Sequence, residues 1–200
     1  MNKDKSLKKL RMRIEKVQDA KRFEHTLGVC YTAACLAMVH GADVRAAQIA
    51  GLLHDCAKCM SDKKRLAICE KAGLEVTDPE RRNPFLLHAK VGAYLAETKY
   101  GYEDHDILNA VRYHTTGRPE MSLLEKIVFI ADYLEPGRKQ APNLDKLRQL
   151  AFTDLDRTLC MILEDTLSYL KSNGGEIDPA TECTYQYYSV EKTKEDKHVL

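Results

Sequence analysis

Long hydrophobic runs are missing from this sequence. The longest apolar stretch, residues 29–39, spans 11 residues and contains Thr32, which is well short of the ~20 residues that a membrane-crossing helix needs. The N-terminus is charged and shows no apolar segment of the kind found in secretory signal peptides. We therefore expect a cytoplasmic protein that does not enter a membrane.

Glycine-rich phosphate loops are also missing. Neither a P-loop nor a dinucleotide-binding fingerprint is present, so any phosphate recognition has to come from other residues. No internal repeat or alternating strand pattern is visible. At 200 residues with 44% hydrophobic residues, the chain is long enough for one domain with a sizeable core.

The net charge of +1 hides an uneven distribution. Residues 1–22 contain nine Lys or Arg and three acids, whereas the rest of the chain carries 22 basic and 27 acidic residues. A basic segment can bind RNA or anionic lipid, but it is more often the solvated face of a helix. The sequence therefore gives no strong sign of a nucleic-acid partner.

The seven cysteines are an odd number, and several lie in apolar segments. This pattern predicts reduced, mostly buried thiols. Cys56 and Cys59 form a C-x-x-C pair, but no second pair with metal-ligand spacing follows and no thioredoxin-like strand precedes it. A zinc or thiol-redox site at this pair stays open as an alternative.

Apolar residues recur at helical spacing along most of the chain, as at Leu7, Leu10, Ile14 and Val17. The pattern predicts helices over residues 7–17, 22–39, 43–57, 61–73, 86–100, 104–114, 122–134 and 144–171, a loop over 74–84, and a turn-rich, frayed end. We expect one all-α domain over residues 1–188 and a charged tail over 189–200.

A pair of polar residues follows an apolar stretch at His54-Asp55. Burying an ionised Asp without a partner costs several kcal/mol, so a cation is expected beside it. Further candidate ligands lie on other predicted helices or helix ends, giving the set His25, His54, Asp55, His88, His114 and Asp132. Mixed imidazole and carboxylate ligands suit Fe, Mn or Zn, and such a metal supports hydrolysis of a phosphoryl group at neutral pH.

Each candidate also has an ordinary structural alternative. Asp55 can pair with Lys58, and Asp132 with Arg138. Lys58, Arg138 and the turn beginning at His114-Thr115 are the best candidates for contacting phosphate, although solvated surface cations would look the same in the sequence.

Five segments carry a resemblance to a known family: RFEHTLGV at 22–29, GLLHDCAK at 51–58, NPFLLHAKVG at 83–92, RYHTTGR at 112–118 and LEKIVFIADYLEPGR at 124–138. This ordered set resembles the YqeK-type branch of the HD-domain phosphohydrolases, the symmetrical bis(5′-nucleosyl)-tetraphosphatases of bacteria. The resemblance covers residues 7–188. It implies an HD-domain helical bundle that uses a metal, commonly iron, to cleave diadenosine tetraphosphate into two ADP.

The resemblance also implies roles for individual residues. The metal ligands would be His25, His54, Asp55 and Asp132. A second divalent metal, served by His88 and His114, stays open. The catalytic residues would be Asp55, Lys58, His88 and His114. Contacts to the substrate would come from His25, Asp55, Cys56, Ala57, Lys58, His88, His114, Thr115, Asp132, Arg138, Ile177, Asp178, Pro179, Ala180 and Thr181. Relatives often have His where this chain has Asp178.

The expected partners are a dinucleoside polyphosphate substrate and the ADP product, and a homodimer stays open. Two alternative functions remain at this point. One is another HD-type nucleotide phosphohydrolase, and the other is a metal-dependent nucleotide-binding module without catalysis.

Overall fold

The computed structural model describes residues 6–175 and 177–198, with side chains described as far as residue 190. These residues form α-helices and one short 3₁₀-helix over Pro84–Leu87, and the described ranges contain no strand. The α-helices are α1 (Leu7–Glu15), α2 (Ala20–His40), α3 (Val44–Leu53), α4 (Asp62–Ala72), α5 (Asp78–Arg82), α6 (His88–Thr98), α7 (His105–Arg112), α8 (Leu123–Leu134), α9 (Leu144–Leu150), α10 (Leu155–Ser172) and α11 (Pro179–His198). The predicted all-α class is confirmed.

Helices α2, α3 and α8 form the centre of the bundle. Helix α2 packs against both α3 and α8, and α8 also contacts α7 and α10. Gly51 on α3 lies against the backbone of α2, where an added Cβ would come 2.8 Å from Cys30 Cα. Glycine therefore permits the close approach of α2 and α3, which places the end of α3 beside α2.

Side-chain caps fix several helix starts. The side chain of Asp43 accepts hydrogen bonds from the backbone N–H groups of Arg45 and Ala46 at the start of α3. Ser122 and Glu125 form a capping box at the start of α8. Helix α2 ends at His40 and is followed by Gly41, whose φ of 73° is typical of a helix C-cap.

The helix predicted over 43–57 is shorter than expected. It ends at Leu53, and the chain then tightens into turns in which Cys56 N donates to Leu53 O and Lys58 N donates to Asp55 O. His54 and Asp55 therefore lie at the end of α3 rather than inside a continuous helix.

Three other predicted segments were wrong in part. Helix α5 lies within the predicted 74–84 loop, because Thr77 and Glu80 form a capping box. The single helix predicted over 144–171 is two helices, with Asp154 capping α10 by accepting from Arg157 N. The turn-rich end predicted after residue 172 contains α11, and the division between domain and tail at residue 188 stays a prediction.

Membrane insertion has no support in the described part of the chain, where no helix combines the length and the apolar character that a bilayer span requires.

Candidate metal centre

The six predicted ligand candidates come together in the bundle. His25 lies on α2, His88 begins α6 and Asp132 lies on α8, while His54-Asp55 and His114 follow the ends of α3 and α7. Their ligand atoms form three overlapping groups whose members lie within 4.8 Å of one another: His25, His54 and Asp55; His54, His114 and Asp132; Asp55, His88 and His114.

Asp55 is the centre of this cluster, and its two carboxylate oxygens face different neighbours. Oδ2 lies 3.4 Å from His54 Nε2 and 4.0 Å from His25 Nε2. Oδ1 lies 3.4 Å from His88 Nε2 and 3.5 Å from His114 Nε2. One carboxylate therefore connects two pairs of imidazoles, which is the arrangement that a bridging ligand needs.

Three imidazoles are oriented in the same way. The Nδ1 atoms of His54, His88 and His114 lie 2.7 Å from the carbonyl oxygens of Gly51, Phe85 and Val111, each three residues earlier in the chain. A carbonyl can only accept, so Nδ1 carries the proton. The Nε2 lone pairs of His54 and His114 are then free to bind a metal, whereas that of His88 accepts a hydrogen bond from Lys58. Hydrogen bonding at the opposite nitrogen is typical of metal-binding histidines.

Unsatisfied buried atoms test whether a metal fits here. His54 Nε2, His114 Nε2 and Asp55 Oδ1 are buried and have no hydrogen-bond partner. Buried polar atoms are nearly always paired, and leaving one unpaired costs about 1–3 kcal/mol. Because these atoms converge on one region and belong to good metal ligands, the residues present fit a bound divalent cation.

The electrostatics of the cluster keep its carboxylates ionised. Burial raises the pKa of Asp55, but His54, His114 and Lys58 outweigh this effect and hold the pKa well below its ordinary value. Burial likewise opposes ionisation of Asp132, whose pKa is nevertheless strongly lowered by His25 and the other histidines.

His88 is neutral at physiological pH. Burial, together with the positive charge of Lys58, lowers the pKa of His88 to about 3. Lys58 Nζ donates a hydrogen bond of 2.9 Å to His88 Nε2 and lies 3.8 Å from Asp55 Oδ1.

The ion pairs that the sequence offers as structural alternatives, Asp55 with Lys58 and Asp132 with Arg138, are also formed. Besides the Lys58–Asp55 contact, Arg138 Nη2 lies 3.2 Å from Asp132 Oδ1 and donates to the Asp132 carbonyl at 2.9 Å. Both cations therefore lie beside the ligand candidates. Their contact with phosphate stays a prediction, as does that of Thr115, which is half-buried.

The cysteine pair does not contribute to the cluster. Cys56 Sγ is buried and donates to Gly92 O at 3.6 Å, whereas Cys59 is exposed. Among the described residues, no group of potential metal ligands includes a thiol. The zinc-thiolate alternative therefore has no support in the structure.

Residues 177–181 lie at the start of α11. Their described hydrogen bonds are local, with Asp178 accepting from the backbone N–H groups of Ala180 and Thr181. One turn later, Thr184 lies against Gly117, in the turn that follows His114. This packing places α11 near the His114 turn, and contact of residues 177–181 with a nucleoside stays a prediction.

Three supporting residues were missed by the sequence reasoning. Arg22 Nη1 donates to Asp55 Oδ2 at 2.9 Å, and Gln18 Nε2 donates to the Asp55 carbonyl at 3.0 Å. Glu135 is buried and lies 3.1 Å from His25 Nδ1. Arg22 and Glu135 lie inside the recognised segments, but only their neighbours in space reveal these roles.

Comparison with known proteins agrees with this geometry. The HD domain family model matches residues 22–137, a range that contains all six ligand candidates. The chain belongs to the HD-domain family. This HD domain chain is 43% identical over 168 residues to the symmetrical bis(5′-nucleosyl)-tetraphosphatase of Bacillus subtilis, covering 83% of this chain and 88% of that protein.

Two further relatives extend the similarity. The symmetrical bis(5′-nucleosyl)-tetraphosphatase of Staphylococcus aureus is 37% identical over 180 residues, which cover 88% of this HD-domain chain and 92% of the relative. The crystal structure of a predicted HD superfamily hydrolase involved in NAD metabolism, from Clostridium acetobutylicum, superposes with a TM-score of 0.89 at 41% identity. The superposition covers 93% of this chain and 98% of the Clostridium acetobutylicum chain. The expected HD-domain bundle and its YqeK-type branch are therefore confirmed.

Proposed function

We propose that this protein hydrolyses dinucleoside tetraphosphates symmetrically, converting diadenosine tetraphosphate into two ADP. The observation that carries the proposal is the convergence of His54 Nε2, His114 Nε2 and Asp55 Oδ1, which are buried and have no hydrogen-bond partner. The relatives that match most of the chain bear the name of this activity.

Metal binding is the first part of the proposal. His25, His54, Asp55 and Asp132 would hold the metal, and His88 and His114 are available to a second one. When bound, a divalent metal supplies Lewis acidity that polarises a phosphoryl oxygen and lowers the pKa of water toward ~7. Iron is the proposed metal, and Mn and Zn suit the same ligands.

The second part assigns roles to the protein's own residues. Asp55 is ionised because its pKa is lowered, so it can orient the attacking water. Lys58, Arg138 and the His114-Thr115 turn would hold the phosphates and stabilise the charge that develops on the departing ADP. Attack at a phosphorus next to the central bridging oxygen breaks that P–O bond and leaves ADP on both sides.

Product analysis tests the reaction directly. Anaerobically purified, iron- or manganese-loaded protein should convert diadenosine tetraphosphate into ADP only, as measured by ion-exchange chromatography. Formation of ATP and AMP, or of free phosphate, would point to another HD-type phosphohydrolase. Tight ADP binding without turnover would instead favour a nucleotide-binding module.

A matched pair of variants tests the metal cluster. Asp55→Asn should abolish turnover while far-ultraviolet circular dichroism retains the helical signal. Asp145→Asn removes the charge of an aspartate whose side chain is 99% exposed and should leave turnover unchanged. Retained activity in Asp55→Asn would reject the role assigned to Asp55.

Three finer statements belong to the same proposal: iron as the resident metal, a homodimer, and a cytoplasmic location. Metal analysis of anaerobically purified protein, light scattering and cell fractionation would test them in turn.

A further inference from the structure

A cavity of about 560 Å³ opens beside the candidate metal centre. It lies between the start of α2 and the segment that follows α8, and its lining includes His25, Gly28 and Pro136. Its volume is within the range of about 300–1,000 Å³ that is usual for small-molecule sites. Because His25 belongs to the ligand cluster as well, the cavity and the metal centre are contiguous.

The charges around the cavity favour an anionic ligand. Its lining contains Lys21, Arg22, Arg138 and Lys139. The acids are Glu24, which is exposed, and Glu135, whose carboxylate is already bonded to His25 Nδ1 and to Gly137 N. The lining therefore carries four basic side chains and two acidic ones. Arg22 and Arg138 also pair with Asp55 and Asp132 of the metal cluster, and Lys21 and Lys139 are exposed. Arginines in particular match the geometry of phosphate oxygens.

The two arginines connect this cavity to one side of the metal centre. Arg22 bonds to Asp55 Oδ2, the oxygen that faces His25 and His54, and Arg138 bonds to Asp132. Lys58 and His88 lie on the opposite side, next to Asp55 Oδ1. The centre is thus flanked by cations on both sides. Lys58 and Arg138 are assigned to the phosphates, whereas Lys21, Arg22 and Lys139 of the cavity have no ligand assigned.

We infer that this cavity binds the second nucleoside diphosphate half of the substrate. This inference rests on the proposed function, in which the scissile bond at the middle of a tetraphosphate lies at the metal. The two halves must then extend in different directions, and each half carries a similar negative charge. One half extends past Lys58 and the His114-Thr115 turn, so the other half lies along Lys21, Arg22 and Lys139, and Arg138 lies where the two halves meet.

The test is to titrate manganese-loaded protein with ADP and to measure binding by isothermal titration calorimetry. Two ADP molecules should bind per chain. The double variant Lys21→Ala/Lys139→Ala, which removes two exposed charges from the cavity, should bind the second ADP about tenfold more weakly. It should also raise KM for diadenosine tetraphosphate by a similar factor, with little change in kcat. Lys63→Ala/Lys71→Ala on α4, where both lysines are exposed, is the matched control and should behave as wild type.

The outcomes separate this inference from the proposed function. One ADP site per wild-type chain, or unchanged ADP binding and KM in Lys21→Ala/Lys139→Ala, would overturn the cavity assignment even if the protein cleaves the substrate into ADP. Two ADP sites, one of them weakened in the cavity variant, would support the assignment even if wild-type protein fails to cleave diadenosine tetraphosphate. If the double variant loses both ADP sites together with its helical circular dichroism signal, the single variants Lys21→Ala and Lys139→Ala are measured instead. For the inference to stand, these single variants must weaken binding of the second ADP selectively.

Discussion

Glu135 orients His25 through a buried carboxylate. Its Oε1 lies 3.1 Å from His25 Nδ1 and accepts the ring proton, while Oε2 accepts from Gly137 N at 2.6 Å. Gly28 makes this approach possible, because a Cβ at that position would come 2.5 Å from Glu135 Oε2. His25 Nε2 therefore points toward Asp132 Oδ1, 3.0 Å away.

Replacing Glu135 with Gln should weaken metal binding. The single amide oxygen can accept from only one of His25 Nδ1 and Gly137 N, which both donate to the carboxylate, and the negative charge beside the imidazole is lost. Losses of this kind lower metal affinity by about 10–100-fold, which a manganese titration of the metal-free protein would measure. Glu97→Gln changes an exposed acid on α6 and is the control. Equal affinities in the two variants would contradict a role for Glu135 in metal binding.

Metal removal should destabilise the protein. A ligand that binds only the folded state adds about 2.7 kcal/mol at 100 times its Kd, which corresponds to a Tm increase of roughly 5–10 °C for a chain of this size. Differential scanning calorimetry before and after manganese is added to chelator-treated protein would measure the increase. His105→Ala, at an exposed position, should keep the increase, and His54→Ala should lose it. A Tm that does not respond to manganese would exclude a tightly bound metal at this cluster.

The positions of the candidate ligands could be predicted from the sequence because each lies in a short local pattern. His54-Asp55 follows an apolar helix, and His88, His114 and Asp132 each occur in a segment typical of the family. The helices that carry them are amphipathic, so their buried faces could be identified from the spacing of apolar residues.

The supporting contacts could not be predicted in the same way. Glu135 and Arg65 are both buried, although charged residues are usually exposed. Their burial depends on which backbone and side-chain groups other segments leave unpaired, and this information is not local. Helix α5 shows a different limit: Thr77 and Glu80 form its capping box, but Pro79 and Pro84 favoured a loop prediction.

Arg65 should be essential for the turns that present Lys58 and His88. Its guanidinium group donates to the carbonyl oxygens of Lys58 at 3.1 Å and Pro84 at 3.0 Å, and also to that of Met60. Lys has fewer donors in a different geometry, so Arg65→Lys should leave partly buried carbonyl groups unpaired and cost about 1–3 kcal/mol. Urea denaturation would measure the change in the free energy of unfolding. Arg81→Lys, at an exposed position, should change little, and an equally small effect at Arg65 would reject this interpretation.

The thiols should differ sharply in reactivity. Burial raises the pKa of Cys30 to about 11 and that of Cys56 to about 12, so both stay protonated at pH 8, and only the thiolate is an effective nucleophile. A disulfide reagent at pH 8 should therefore modify the exposed Cys35, Cys59 and Cys183 first. Mass spectrometry of the early product would locate the labels, and the same reaction in denaturant should modify all seven cysteines. Early labelling of Cys56 would show that the end of α3 opens in solution.

Packing of α11 against the His114 turn can be tested by comparing alanine substitutions at two glycines that have the same φ. Gly117 and Gly73 both have a φ of 63°, so Ala is strained at either position. A Cβ at Gly117 would also come 2.7 Å from Thr184 Cγ2, whereas a Cβ at Gly73 would have no neighbour within 4 Å. Gly117→Ala should therefore lower the free energy of unfolding by about 1–3 kcal/mol more than Gly73→Ala, since the additional cost is that of overpacking. Urea denaturation of the two variants would measure the difference. Relief of the clash requires α11 to move. If residues 177–181 contact the nucleoside, Gly117→Ala should therefore also raise KM for diadenosine tetraphosphate. An unchanged KM in a destabilised variant would show that those residues do not belong to the substrate site.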